Sequence, residues 1–421
     1  MANQKNAQEL LKWGLQHTPD NGVDGSASVA QISADIEAGR RPDLSDPRLY
    51  EAIMGKSEAQ MMQEELAVAL DATRPLDDRC TALDNFEMLI ETIDNANNIT
   101  SMKMWTPLVE LLSASEPRIQ TAAAWIVGTA VQNNDKGQVA ILAFSPLAPL
   151  LDLLRSDDTQ TRSKAMYALS GLLKHNPAAV KQFQDMDGWS RLRGALLDPN
   201  ITLRRKTAFL INTLLFQDPN VPGSSSRAAN RSAEATTAST RSSTSTALTT
   251  TAVAPASSAT AVAPSSSDPR GPGPAPLERG PETMLTGVAH PDVAVAVLES
   301  GLLRTLLSSL LPAGAAGVDD DDLPPAAGPD GDIEARADLD FAEKATRAIL
   351  TFTAKLDDGQ PGRTAVGLDD GIVRLLAALA ADLRGAPLDP NAGFKARWDE
   401  LSIERDAFEA FDSRVSTWTA A

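Results

Sequence analysis

The sequence predicts an all-α helical solenoid, and three observations carry that prediction. Only 4% of the 421 residues are aromatic while Leu and Ala abound, a balance that favours helices over sheets. From about residue 76 to 218, a short apolar helix, a polar turn and a longer amphipathic helix recur. Beyond that block the chain turns to Ser, Thr, Ala, Pro and Gly before helical patterning returns.

The first long helix carries Leu83, Phe86, Ile90 and Ile93 at spacings of three and four, which reads as one apolar stripe. Asp84, Glu87, Glu91 and Asp94 lie opposite. In the second unit Pro107 to Leu112 precedes a turn and then Ala122, Ala123 and Val127. The third sets Pro149 to Leu154 before Arg162, Lys164, Ala165 and Leu169, and the fourth sets Leu192 to Leu197 before Arg205, Ala208 and Ile211. Aligning Ala82, Ala123, Ala165 and Ala208 gives separations of 41, 42 and 43, the armadillo and HEAT period. One unit cannot bury its stripe alone, whereas stacked units share a continuous core and leave a long face for binding.

The predicted organisation is a flexible segment over 1–45, armadillo repeats over 46–218, a disordered low-complexity insertion over 219–283 and degenerate closing repeats over 284–421. The insertion holds too few large apolar side chains to offset roughly 1–2 kcal/mol of backbone entropy per residue. Past it, helices are expected at Val293 to Leu311, Leu339 to Leu356, Ile372 to Leu383 and around Lys395 to Phe411, with a break at Asp319 to Asp322.

Composition excludes several function classes. A formal net charge of −18 opposes contacts with nucleic-acid phosphates and with an acidic membrane surface, so neither partner is expected. Gly55-Lys56-Ser57 resembles the end of a phosphate loop, but Tyr50 stands where the preceding glycine belongs; a polar break after a short helix is the plainer reading. His17, His175 and His290 show no metal-ligand spacing, and no serine sits in a nucleophile-elbow pattern. No cofactor and no enzymatic activity are expected. With Cys80 alone and no unbroken apolar stretch near the start, a reducing, cytoplasmic setting is expected.

Two stretches are specific enough to resemble a known family: Asp84-Asn85-Phe86-Glu87-Met88-Leu89-Ile90-Glu91-Thr92-Ile93-Asp94-Asn95-Ala96-Asn97-Asn98 and Gly128-Thr129-Ala130-Val131-Gln132-Asn133-Asn134. Both are similar to signature segments of the Fes-type nucleotide exchange factors of heat-shock-protein-70 chaperones. Leu10-Leu11-Lys12-Trp13 and Asp46-Pro47-Arg48-Leu49 resemble that family's N-terminal region, and the likeness runs over roughly residues 8 to 218. The resemblance implies a cytosolic armadillo protein that grips the chaperone's nucleotide-binding domain and accelerates ADP release. It also implies a substrate-mimicking N-terminal segment and a further link to ribosome-associated chaperones.

In armadillo proteins the long third helices line the binding face. Their solvent stripes here are Asp84, Glu87 and Glu91, then Trp125, Thr129 and Gln132, then Tyr167 and Lys174. Trp125 and Tyr167, one repeat apart, are candidate anchors or inter-repeat core. Arg204-Arg205-Lys206, the densest basic cluster of the repeats, is either a solvated helix start, with two of the three side chains facing solvent, or a contact for an acidic lobe of the chaperone. Asn133 and Asn134 read as helix caps. The alternative function is a scaffold or transport adaptor holding peptides, although its ladder of Trp and Asn is not seen beyond Trp125 and Tyr167.

Overall fold

The computed structural model describes residues 38, 56–218, 288–312, 314–315, 317–324, 336–356, 368–385 and 396–420. The segment over 1–45, apart from residue 38, and the insertion over 219–283 lie outside the described residues. The chain divides into two compact units, Met1–Leu172 and Leu173–Ala421. The described elements are helical, and no single helix is long and apolar enough to cross a membrane.

In the first unit, α1 (Glu58–Leu70) and α2 (Leu76–Leu89) pack as a pair. Ser57 starts α1 with a capping box: its side chain accepts from the Gln60 amide while the Gln60 side chain accepts from the Ser57 amide. Lys56 pairs with Glu64 at 2.6 Å. Lys56 and Ser57, the described part of the run that imitates a phosphate loop, thus stand at a helix start.

Repeats follow, and each has three helices rather than two. α3 (Ile93–Ser101), α4 (Trp105–Leu111) and α5 (Pro117–Val131) form one; α6 (Asp135–Leu142), α7 (Leu147–Leu153) and α8 (Thr159–Leu173) form the next. In the second unit α9 (Pro177–Asp185), α10 (Gly188–Leu196) and α11 (Ile201–Gln217) repeat the pattern. The long helices begin at 117, 159 and 201, a uniform spacing of 42. The partner of Ala123 and Ala165 is therefore Thr207, fully buried, and not Ala208.

The predicted stripe through Ile93 also needs correction. α2 ends at Leu89 with Ile90 as its cap, and Ile93 opens α3 with 55% of its surface exposed. The polar cap at Asn95, which donates to the Leu89 carbonyl at 2.8 Å, diverts the chain there.

The turn between first and second helices recurs with a left-handed residue at Lys103, Ser145 and Asp187, again 42 apart, and Gly301 occupies the corresponding turn further on. In the second unit α12 (Val293–Glu299), α13 (Leu302–Leu310) and α14 (Leu339–Lys355) form a further repeat, closed by α15 (Asp370–Arg384), α16 (Arg397–Glu400) and α17 (Arg405–Ala420). α11 packs along α14, and α17 against α14 and α15. The single helix expected around Lys395 to Phe411 is split in two at Ser402, whose φ is +53°.

Candidate functional site

In the first unit the outward faces of α5 and α8 meet in a cation–aromatic cluster. Lys164 holds its ammonium 3.2 Å from the Trp125 ring centroid and 6.0 Å from that of Tyr167. Trp125 and Tyr167 are each partly buried, so ring faces and charge remain reachable. What seats Tyr167 is Gly128: a Cβ there would lie 2.4 Å from the tyrosine ring. Thr121 and Thr161 bind each other at 2.7 Å across the same two helices.

The acidic stripe of α2 is less uniform than its sequence suggests. Asp84 and Glu91 are exposed. Glu87 is only 6% exposed, because the Thr129 hydroxyl donates to its carboxylate at 2.6 Å. Two expected contact residues therefore satisfy each other within the fold. Gln132 is partly exposed at the end of α5, beside Gly171.

In the second unit the basic cluster is largely absorbed. Arg204 is 2% exposed. Arg205 donates from Nε to Asp338 Oδ1 at 2.9 Å and from Nη2 to Asp338 Oδ2, with Asp340 at 3.5 Å. Asp338 caps α14 by accepting from the Phe341 amide at 2.7 Å. Burial alone would raise that carboxyl's pKa, but the hydrogen bonds from Arg205 and Phe341 and the nearby guanidinium charges outweigh it and hold it below the usual carboxylate range. Lys206 is half-buried, and burial lowers its ammonium below the ordinary lysine value. Lys174 is also partly buried. The expectation that two of the three basic side chains face solvent fails: Arg204 is inside and Arg205 is a staple to α14.

Comparison with known proteins fixes the family. The profile described as "Nucleotide exchange factor Fes1" matches residues 7–99, and the "SIL1/FES1/HPBP1 C-terminal domain" matches 95–240. An "Hsp70 nucleotide exchange factor FES1" from Mycosarcoma maydis is 56% identical over 421 residues, covering 99% of each chain. This chain belongs to the Fes1 family. A second relative of that name, from Cryptococcus neoformans, is 40% identical over 211 residues, 48% of this chain and 55% of its own. Among solved structures, a designed armadillo repeat protein aligns with 85% of this chain and 100% of its own at a TM-score of 0.47 and 13% identity.

Within this Fes1-family chain, the uniform repeat exposes what the sequence reading missed. Trp125, Tyr167 and Phe209 are each the ninth residue of their long helix, and Phe209 is 56% exposed. The register thus puts an aromatic residue at the ninth position of three consecutive long helices. Aligning Ala208 with Ala165 hid the third by one residue. Lys164 and Lys206 are likewise register partners, three residues before Tyr167 and Phe209. Asn134 and Asn176 also recur 42 apart, but as buried caps of first helices and not on the long helices: their side chains accept from the Gly137 and Ala179 amides at 3.2 and 3.1 Å.

Proposed function

We propose that this Fes1-family chain is an Hsp70 nucleotide exchange factor that binds the chaperone's nucleotide-binding domain and accelerates ADP release, thereby promoting client release and folding. Sequence membership carries the reading, since the 56% identity extends over 99% of the chain. The third-helix faces supply the chemistry it needs.

Such a factor requires no catalytic side chain, and we read the chain as a non-enzyme. It must bind an opened, nucleotide-poor chaperone domain more tightly than the ADP-bound one; linkage then weakens nucleotide binding by the same factor. A barrier lowered by about 4 kcal/mol gives roughly a thousandfold faster release. In the first unit, Trp125 and Tyr167 present partly desolvated rings, and Lys164, already seated on Trp125, offers a positioned charge to a carboxylate of the partner. Asp84 on α2 and Glu91 in the turn just past it supply the opposite sign, and Gln132 caps the end of α5, while Thr129 is engaged with Glu87. In the second unit, Lys206 and Phe209 occupy the register positions of Lys164 and Tyr167, and Lys174 is a further partly exposed basic residue. Glu87, Arg204 and Arg205 act by holding these elements rather than by touching the chaperone.

The reading extends to a cytoplasmic location, to a ribosome-associated chaperone as a second partner, and to residues 1–45 as a mimic that displaces client. These follow from the family resemblance.

The test mixes the purified chain with Hsp70 preloaded with fluorescent ADP and follows release. Wild-type protein should accelerate release, and the W125A/Y167A double variant should lose at least about tenfold of that acceleration with its helix signal intact. Peptide binding by the wild type without any acceleration would instead leave the adaptor function.

A further inference from the structure

The third repeat ends at Asp218, and the next described helix begins at Val293. Asp218 stands 42 residues after Asn176, which stands 42 after Asn134. Those two asparagines cap the first helix of the repeat they open. Asp218 reaches instead the first amide of a helix 75 residues away, which Asp292 caps: its Oδ2 accepts from the Val293 amide at 2.8 Å. Its side chain is 0% exposed.

Three chain segments converge on this residue. From the start of α12, His290 places Nδ1 3.6 Å from Asp218 Oδ1 and 2.8 Å from the Pro291 carbonyl. From the end of α14, Lys355 donates to the main-chain carbonyl of Asp218. Burial lowers the pKa of that lysine, while Asp218 and Asp292 oppose the shift. Asp292 itself caps α12 through the Val295 amide at 3.0 Å. A carboxylate removed from water is tolerated only when donors and opposite charge surround it, and here they come from elements separated along the chain.

More ties cross from the third repeat to the helices beyond. Arg193 donates to Thr305 Oγ1 at 3.1 Å and to the buried Asp322 at 2.8 Å. Thr351 donates to Asn212 at 2.8 Å, and Arg205 holds Asp338.

We infer that Asp218 is a buried latch that docks α12 to α17 on the third repeat independently of the covalent connection through 219–287. Asp218 and Val293, 75 residues apart in sequence, meet at this carboxylate. The covalent connection can therefore be cut, modified or lengthened while the repeat array stays assembled.

The test uses the full chain with one site for a sequence-specific protease inserted between positions 250 and 251. After complete cutting, the wild-type pieces should co-elute on size exclusion and melt in a single transition close to that of the uncut chain. In the cut D218A variant the pieces should associate about thirtyfold more weakly or worse, from one lost buried acceptor and its charge; the uncut variant checks folding by circular dichroism. Separation of the cut wild type, or association of cut D218A as tight as wild type, overturns the latch. If uncut D218A fails to fold, K355M gives the graded measurement: several-fold weaker association after cutting supports the latch, and unchanged association overturns it.

Discussion

Helices α8 and α11 hold the same place in consecutive repeats and nearly the same pattern, yet their basic residues are used differently. Arg162 and Arg204 are register partners and both are buried, at 9% and 2% exposure. Arg162 donates to the Ser156 carbonyl at 2.8 Å, as Gln120 one repeat earlier donates to the Ala114 carbonyl at 2.7 Å. This position therefore ties down the turn before the long helix. One residue on, Ser163 in α8 is replaced by Arg205 in α11, which Asp338 captures. Two residues on, Lys164 rests on Trp125. Three adjacent basic residues in α11 thus divide into a buried guanidinium, an inter-helix staple and a half-buried lysine. A run of like charge in a solenoid is sorted by register before it is a patch.

The sharpest way to break this comparison is to reverse charge at the two sorted positions. R204E/R205E should lose more than about 4 kcal/mol, because it buries a carboxylate at Arg204 and opposes Asp338 at Arg205. Urea unfolding should then show the second unit melting early or not folding. S163E, at the partly exposed partner of Arg205 in α8, should stay within about 0.5 kcal/mol of wild type. K206E should keep stability but weaken the chain's acceleration of ADP release from the chaperone. Equal stability for R204E/R205E and S163E would remove the distinction between the two helices.

The next effect concerns the aromatic rungs. G128A puts a Cβ 2.4 Å from the Tyr167 ring and 3.2 Å from the Ala168 main chain, so the ring must leave its seat. A stability loss of about 1–3 kcal/mol is expected, with altered Trp125 fluorescence as Lys164 is displaced and slower ADP release. An unperturbed tryptophan spectrum would show that Gly128 does not position the cluster.

Much of this architecture was legible because long helices with apolar stripes announce themselves. The period near 42, the four later helical stretches and the family signature all came from the residues. The first helix of each repeat did not, and the reason is physical. α3 buries Asn95 and α6 buries Gln138, whose side chain donates to the Gly171 carbonyl at 2.7 Å. Helices of eight or nine residues are also shorter than the stretch over which a hydrophobic period can be read. The site was half legible for a similar reason. Trp125 and Tyr167 could be paired by spacing, but a buried glutamate at Glu87 and a buried arginine at Arg204 read as surface until their partners, Thr129 for one and the fold around α11 for the other, are in place. Phe209 was within reach of the sequence and was lost to a one-residue misalignment.

A smaller effect tests the staple by pH. The Asp338 carboxyl has a lowered pKa in the folded chain, so its stabilisation is fully present above the unfolded value near 3.9 and is lost as pH falls through the folded value. D338N keeps a side chain able to cap α14 but removes the charge that holds Arg205. At neutral pH the variant should be less stable by about 1–2 kcal/mol. That gap should narrow as pH falls below about 4. A gap independent of pH from 6 to 3 would mean that the Arg205 pair does not depend on the carboxylate charge.

The smallest effect concerns the turns that make the repeats alike. Lys103, Ser145 and Asp187 adopt φ of +57°, +53° and +57° at equivalent turns, and the corresponding turn before α13 uses Gly301 at +76°. A side chain with Cβ in this region costs about 1–2 kcal/mol, offset in part because glycine loses more entropy on folding. Lys103 is exposed, so K103G removes the strain without removing packing and should stabilise the first unit by about 0.5–1 kcal/mol. S145G should do the same to a similar extent. D187G should gain little, because aspartate tolerates left-handed backbone and Asp187 also accepts a 2.6 Å hydrogen bond from the Ser190 hydroxyl. Urea midpoints for the three variants should therefore rank K103G and S145G above wild type and D187G near it. A uniform gain at all three turns would show that the aspartate hydrogen bond contributes nothing, and a loss at Lys103 would show that its turn is held by more than backbone geometry.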